Sequence, residues 1–200
     1  MGSGGKDVYR TPALRRGDKP QVLLILREKS NAVELMLTRE VGVMIAALKA
    51  SGFAAVVASA SGRPIGQGPA RIEPDLKLAD VRMADYVGLL LPSMAVGLTA
   101  PVSGELIRIV RRAAALKIPL AAQHGSVVVL QRAGVLKKKK YAFRRRVFNE
   151  GEYRGPGVVR DGELITSGTC PFLARETDRP DGTETLTRLF IEALNERGQP

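Results

Sequence analysis

The stretch PLAAQHGSVVVL, residues 119–130, decides the fold of this chain. Its apolar first half ends in QHGS, residues 123–126, and an apolar segment that can wind as a helix follows without a spacer. This pattern is typical of a buried parallel strand that turns sharply into a helix. The sequence therefore predicts a strand, a tight turn at residue 124 and a helix.

The side chain at such a turn projects from the carboxyl edge of the sheet, and the N–H groups that follow can hold a ligand oxyanion. His124 occupies this position and is the only histidine among the 200 residues. Gly125 and Ser126 are small enough to let the backbone approach a ligand closely. We predict a catalytic His124, with Gly125 and Ser126 binding substrate or its oxyanion; a histidine that only caps the helix is the alternative.

The composition indicates a folded α/β domain: 44% of the residues are hydrophobic and 26% are charged. Because aromatic residues make up only 4%, the core must consist of Val, Leu, Ile and Ala, as in a parallel sheet covered by helices. We expect one domain over residues 21–197 and a flexible arm over residues 1–20, whose MGSGG start resembles an expression-tag remnant. No apolar run reaches about 18 residues, so we expect no transmembrane helix and no membrane partner.

Cys170 is the only cysteine, which excludes an internal disulfide and favours a reducing, cytoplasmic location. A removed export signal before Asp7 is the alternative. No zinc-ligand spacing is present, and we expect neither a metal ion nor a cofactor.

The net charge of +11 is concentrated in KKKKYAFRRR, which begins at Lys137 and ends at Arg146 and contains seven basic residues. Such a stretch can bind nucleic acid or another polyanion. The alternative is a solvated strand or loop beside the core, and no RNA-binding aromatic signature accompanies the basic residues.

Strand and helix patterns alternate along the chain. The predicted elements are a strand in QVLLIL from Gln21, a helix over residues 34–49, a strand over 53–58, a buried strand in VGLLLP ending at Pro92, a helix over 103–116, a hairpin over 157–167 with Asp161-Gly162 at its turn, and a last helix opening at Asp181. Right-handed crossovers then give a flavodoxin-like three-layer sandwich with a mostly parallel central sheet. The loop after VGLLLP lies where open α/β sheets bind their ligands.

Together these segments resemble the ThiJ/PfpI superfamily, relatives of class I glutamine amidotransferases, over about residues 21–196. The resemblance rests on VLLIL, the Glu40 helix running to Ser51-Gly52, DYVGLLLP, PLAAQHGSVVVLQRAGVLK and VVRDGELITS, in this order. It implies a small-molecule substrate bound at the turn and a homodimer, because relatives pair near this site.

Relatives usually carry a cysteine at the turn, activated by a glutamate from the first helix and often helped by a later histidine. Glu40 matches the glutamate, and we expect it to be partly buried, which would raise the pKa of its carboxyl group. His124 stands in place of the cysteine, and Ala142, Phe143 and Arg144 stand where relatives have the later histidine. The chain therefore resembles a divergent member that lacks the cysteine at the turn.

Two other positions compensate for or alter the family pattern. Ser93 and Met94 replace a glycine pair of which one N–H helps form the oxyanion hole, so the resemblance implies that both bind substrate or its oxyanion. Met94 would either narrow the pocket or fill a gap. Cys170 follows the last strand, so its sulfur would face the same pocket and give a Cys170–His124–Glu40 cluster. An imidazole beside a thiol lowers the thiol pKa and makes it nucleophilic; a buried, inert cysteine is the alternative.

Two functions follow from these residues. The first is an enzyme in which Glu40 and His124 act as acid–base partners on a small carbonyl, amide or isocyanide-type substrate, polarised by the N–H groups of Gly125 and Met94. Hydration, isomerisation and hydrolysis all fit, with or without covalent help from Cys170. The second is a non-catalytic binding or stress-associated protein that uses the basic stretch to bind a polyanion.

Overall fold

A computed structural model describes residues 19–30, 32–93 and 102–198, with only the backbone described at residue 102. Most of the expected N-terminal arm lies outside these residues. Met94, one of the expected oxyanion donors, also lies outside them, together with the rest of its loop.

Eleven strands are present in the described ranges. In chain order they are β1 (Gln21–Leu26), β2 (Ala54–Ser59), β3 (Ile65–Gln67), β4 (Ala70–Ile72), β5 (Leu76–Lys77), β6 (Gly88–Leu91), β7 (Leu120–Gln123), β8 (Lys140–Tyr141), β9 (Glu152–Tyr153), β10 (Val158–Asp161) and β11 (Leu164–Ser167). Seven of them form one sheet in the order β10-β11-β7-β6-β1-β2-β5, in which only β10 runs antiparallel to its neighbour. The predicted mostly parallel α/β fold is confirmed.

The helices follow the strands as the alternation predicts. They are α1 (Val33–Met36), a π-helical turn (Leu37–Val41), α2 (Gly42–Ala50), α3 (Val102–Ala115), α4 (Val127–Arg132), α5 (Pro171–Glu176) and α6 (Thr183–Gly198). Short 3₁₀ turns occupy Leu78–Asp80, Met83–Asp85 and His124–Ser126. None of the helices in the described part of the chain has the length and apolar character needed to cross a bilayer.

Apolar layers cover both faces of the sheet. In β1, Leu23 and Ile25 pack with α3 and α4 on one face, whereas Val22, Leu24 and Leu26 pack with α2 and α6 on the other. This division follows from the alternation of side chains along a strand. Because both faces are covered, a site has to lie at an edge of the sheet, where the strands end.

The segment predicted as one helix over residues 34–49 differs from that prediction in one respect. Its chain direction is continuous, but the turn Leu37–Val41 is π-helical and accommodates an extra residue. Apolar spacing does not reveal such an insertion, because the residues on either side keep helical periodicity. Isolated π turns occur frequently at functional sites, and this one carries Glu40.

Candidate active site

Three neighbouring parallel strands end at the same edge of the sheet and deliver three polar side chains. Strand β7 pairs with β6 on one side and with β11 on the other. Ser93 follows β6, His124 follows β7 and Cys170 follows β11. Glu40 reaches the same edge from the π-helical turn.

The turn at the end of β7 holds His124 in an unusual backbone conformation, with φ = 44°. Non-glycine residues adopt this left-handed region rarely, although histidine does so more readily than most. The Ser126 hydroxyl is buried and donates a hydrogen bond to the Pro92 carbonyl oxygen, which ties the turn to the end of β6. The backbone thus fixes the direction in which the imidazole leaves the sheet edge.

The imidazole of His124 lies beside the sulfur of Cys170, with 3.7 Å between Nδ1 and Sγ. On its other side the ring stacks on Phe143, with 6.3 Å between ring centroids and an interplanar angle of 21°. Burial lowers the pKa of His124, and the nearby Arg144 guanidinium lowers it further. The ring is therefore neutral at pH 7 and able to accept a proton.

Cys170 is almost completely enclosed, with 1% of its surface exposed. Burial raises the pKa of its thiol, and the Ser93 hydroxyl opposes this increase. Glu40 raises the thiol pKa further only where it is ionised, above about pH 8. The resting pair is therefore a neutral thiol beside a neutral imidazole. A buried environment favours this state over a thiolate–imidazolium ion pair.

Glu40 is fully buried and both of its oxygens contact Ser93. Oε1 accepts the Ser93 N–H at 2.6 Å, and Oε2 lies 2.9 Å from the Ser93 hydroxyl oxygen. Burial raises the pKa of the Glu40 carboxyl to about 8, against the opposing effect of the Ser93 hydrogen bonds. At neutral pH this carboxyl group therefore carries a proton.

The structure arranges the predicted residues differently from the expected Glu40–His124 pair. The imidazole contacts Cys170, and the carboxyl group contacts Ser93 instead of the ring. The Ser93 N–H donates to Glu40, so it does not face a ligand oxyanion as expected. Gly125 stands at the start of its turn, where an N–H has no acceptor earlier in the turn.

Sequence reasoning missed Gln123, which is buried at the end of β7. Its Nε2 donates to the Thr169 carbonyl oxygen at 2.8 Å and to the Thr183 hydroxyl at 2.9 Å. These bonds hold the loop that carries Cys170 against the strand that carries His124. The sequence did contain a signal for this role, because Gln123 is the polar last residue of the otherwise apolar strand β7.

The basic stretch does not form one surface. Lys137 lies 3.7 Å from Glu150 and Lys139 lies 3.3 Å from Asp161, whereas Phe143 is buried. The arginines that follow, Arg144 to Arg146, are exposed. Its lysine half is therefore partly neutralised, and its arginine half begins beside His124.

No group of three His, Cys, Asp or Glu side chains is arranged to hold a metal ion among the residues that the structure describes. A search of curated proteins finds no match to this chain. The family model for the DJ-1/PfpI family matches residues 21–174. The chain belongs to the DJ-1/PfpI family.

Solved structures of this family share its fold. The putative protease I of Bacteroides thetaiotaomicron is 13% identical with a TM-score of 0.64, and the match covers 88% of this chain and 99% of that one. DJ-1beta of Drosophila melanogaster is 22% identical with a TM-score of 0.61, and the match covers 90% of this chain and 95% of that one. A two-domain protein of Anabaena variabilis, with DJ-1/ThiJ/PfpI-like and ferritin-like domains, is 18% identical with a TM-score of 0.58; 85% of this chain matches 57% of that one. At these identities the likeness establishes the fold alone.

Proposed function

We propose that this DJ-1/PfpI protein is an enzyme that attacks a small carbonyl, amide or isocyanide-type substrate with Cys170, using His124 as the general base. The proposal depends on one observation, the 3.7 Å contact between the only cysteine sulfur and the only histidine ring of the chain. A thiol within reach of an imidazole is the arrangement that nucleophilic catalysis requires. The pair lies at the carboxyl edge of the sheet, where this architecture places its ligands.

The pKa directions favour proton transfer during the attack over a preformed thiolate. Since burial raises the thiol pKa and lowers the imidazole pKa, the proton stays on sulfur until the substrate is bound. As the sulfur–carbon bond forms, the S–H proton passes to Nδ1 of His124 and the carbonyl electron pair moves to oxygen. With an amide, the imidazolium returns this proton to the departing nitrogen, and water then cleaves the thioester and restores the thiol.

Glu40 and Ser93 support the sulfur from the opposite side. A protonated Glu40 can donate from Oε2 to the Ser93 hydroxyl oxygen, because these atoms are 2.9 Å apart. The Ser93 hydroxyl proton is then available to the sulfur, where it stabilises negative charge during the reaction. Gly125 contributes an N–H for the substrate oxyanion.

A homodimer and a cytoplasmic location are part of the same proposal. Proteins of the DJ-1/PfpI family often act as dimers. Phe172, two residues after Cys170, is 38% exposed and could contact a second copy of the chain. Sedimentation velocity with wild type and Phe172→Ser tests this part; a monomeric wild type at micromolar concentration would contradict it.

The enzymatic proposal is tested with purified protein and a panel of small aldehydes, amides and isocyanides. We expect turnover of at least one class, a fall in kcat/KM of about 10²- to 10⁴-fold in His124→Gln, and a loss at least as large in Cys170→Ser. Arg146→Gln is the control, since it alters an exposed arginine of the basic stretch. A wild type that is inert toward the whole panel, or a Cys170→Ser variant with full activity, would overturn the proposal.

A further inference from the structure

We propose that the substrate of this site carries a small oxyanion, a carboxylate or phosphate, and that Arg144 binds it. This inference rests on the proposed function and specifies the class of molecule on which the site acts. Arg144 was expected only as part of the basic stretch, at a position where relatives have a histidine. Its surroundings give it a more specific role.

Arg144 is connected to the reactive pair through one aromatic ring. The Phe143 ring stacks on the His124 imidazole, and the Arg144 guanidinium carbon lies 5.9 Å from the centroid of the same Phe143 ring. A guanidinium at this distance from a ring face is held by cation–π attraction. The charge is also close enough to His124 to act on the imidazole electrostatically.

The backbone around Arg144 is fixed to the loop that carries Cys170. The Phe143 N–H donates to the Gly155 carbonyl oxygen at 3.1 Å, and the Arg144 carbonyl oxygen accepts an N–H from Arg179 at 3.1 Å. Gly168 packs so closely on this segment that an added Cβ would lie 2.4 Å from the Phe143 carbonyl carbon. Packing on Gly168 therefore holds the backbone at Arg144 beside the Cys170 loop, and the two hydrogen bonds anchor it to Gly155 and Arg179.

The charge of Arg144 is not neutralised by a carboxylate in the described ranges of the chain, and the same holds for Arg179, which contacts its carbonyl oxygen. The lysines earlier in the stretch differ, since Lys137 and Lys139 each lie within 4 Å of an acidic side chain. The imidazole thus contacts the Cys170 sulfur at 3.7 Å, and the Phe143 ring that stacks on it also carries the Arg144 guanidinium.

The acids closest to the site do not offset this charge. Glu40 is protonated at neutral pH, and the Asp181 carboxylate contacts Thr183 and forms no ion pair with Arg144. A planar guanidinium binds carboxylate or phosphate through two parallel hydrogen bonds. The inferred substrate therefore combines an electrophilic carbon for Cys170 with an oxyanion for Arg144, as a 2-oxo acid does.

The test uses the only histidine as a reporter, because its ring signals are unambiguous in an NMR spectrum of the full chain. Acetate and acetamide, which match in size and differ in charge, are titrated at constant ionic strength into wild type, Arg144→Gln and Arg146→Gln. Arg146 is the matched control, because its charge acts on Tyr141 and not on His124.

We expect acetate to move the His124 signals saturably in wild type and Arg146→Gln, acetamide to leave them in place, and Arg144→Gln to bind acetate at least about tenfold more weakly. Equal acetate binding by Arg144→Gln, equal effects of acetamide, or no effect of acetate on wild type would each overturn the inference. The measurement does not involve Cys170. A protein that binds acetate through Arg144 but turns over no substrate therefore refutes the proposed function and leaves the oxyanion site standing.

Where turnover is found, a second measurement compares glyoxylate with glyoxal, which share an aldehyde and differ in the carboxylate. Wild type should favour glyoxylate, and Arg144→Gln should reduce this preference at least tenfold, mainly through KM. An unchanged preference would contradict the assignment of Arg144.

Discussion

The ends of β7 and β11 lie side by side, yet they present the side chains of the proposed His124–Cys170 pair by opposite means. At the end of β7 the chain bends at once. His124 has a strained backbone, with φ = 44°, and its ring is partly exposed. At the end of β11 the chain continues through Gly168 and Thr169, and Cys170 keeps a relaxed extended backbone with φ = −151° while its side chain is buried.

In the proposed mechanism the nucleophile stands after the strand next to the one that carries the base. A sharp turn projects its side chain outward, which suits a base that must exchange protons. The adjacent loop offers no such projection, but it brings its sulfur within 3.7 Å of that base. The same sheet edge can therefore hold the two halves of a reactive pair on two strands.

The largest expected effect concerns Glu40, the buried acid that contacts Ser93 beyond the end of β6. Its pKa is about 8 in the folded protein and 4.5 when solvated. Between these values the folded state keeps a proton that the unfolded state releases, so stability falls as pH rises. The slope is about 1.4 kcal/mol per pH unit, or on the order of 5 kcal/mol over the whole range.

Glu40→Gln removes this titration. The difference in unfolding free energy between wild type and Glu40→Gln should therefore be constant below about pH 4.5, shift steadily in favour of the variant up to about pH 8, and level off above it. Urea unfolding at several pH values measures it. Glu34→Gln, an exposed change on the same helical segment, is the control. A flat difference would show that Glu40 is ionised in the fold.

Local sequence patterns predicted the elements of the site better than its contacts. The turn at His124 could be predicted because an apolar run and QHGS are adjacent in the chain. The position of Cys170 after the last strand followed from the order of elements. The register of the parallel strands then brought these two residues to one edge, as expected for neighbours in such a sheet.

The partners of Glu40 could not be predicted in the same way. Ser93 is 53 residues away, and its approach depends on a π-helical turn that rotates the carboxyl group toward the end of β6. Apolar periodicity does not register that rotation. Similarly, the amide of Gln123 joins residues 46 and 60 positions later. Such contacts depend on tertiary packing, which spacing along the chain does not encode.

The next largest effect concerns Gly168, which begins the β11 loop. An added Cβ would lie 2.4 and 2.6 Å from the Phe143 carbonyl carbon and oxygen, and backbone atoms cannot move aside easily. Gly168→Ala should therefore lower the unfolding free energy by about 3 kcal/mol. Gly157→Ala is the matched control, since its Cβ would meet nothing within 4 Å. Urea unfolding measures the stability of both variants. Equal stability would contradict the close packing of the Cys170 loop on the segment that carries Arg144.

Gln123 joins the two strand ends, so its replacement tests whether they are coupled. Gln123→Met keeps the length of the side chain but leaves the Thr169 carbonyl and the Thr183 hydroxyl without this donor. We expect a loss of about 2 kcal/mol. Gln67→Met, at an exposed position of β3, should change the unfolding free energy by no more than about 0.5 kcal/mol. A Gln123→Met variant as stable as Gln67→Met would mean that the two ends are held independently.

The smallest effect distinguishes the two backbones directly and requires no assay of function. At residue 124 glycine should be more stable than alanine by about 1 kcal/mol, because only glycine adopts a left-handed φ without strain. At residue 170 alanine should instead be more stable than glycine by about 0.5 to 1 kcal/mol, because glycine loses more conformational entropy when it is fixed in an extended backbone. Each comparison removes the same side chain from both variants, so lost contacts largely cancel. The same order at both residues would show that the strain is not confined to the β7 turn.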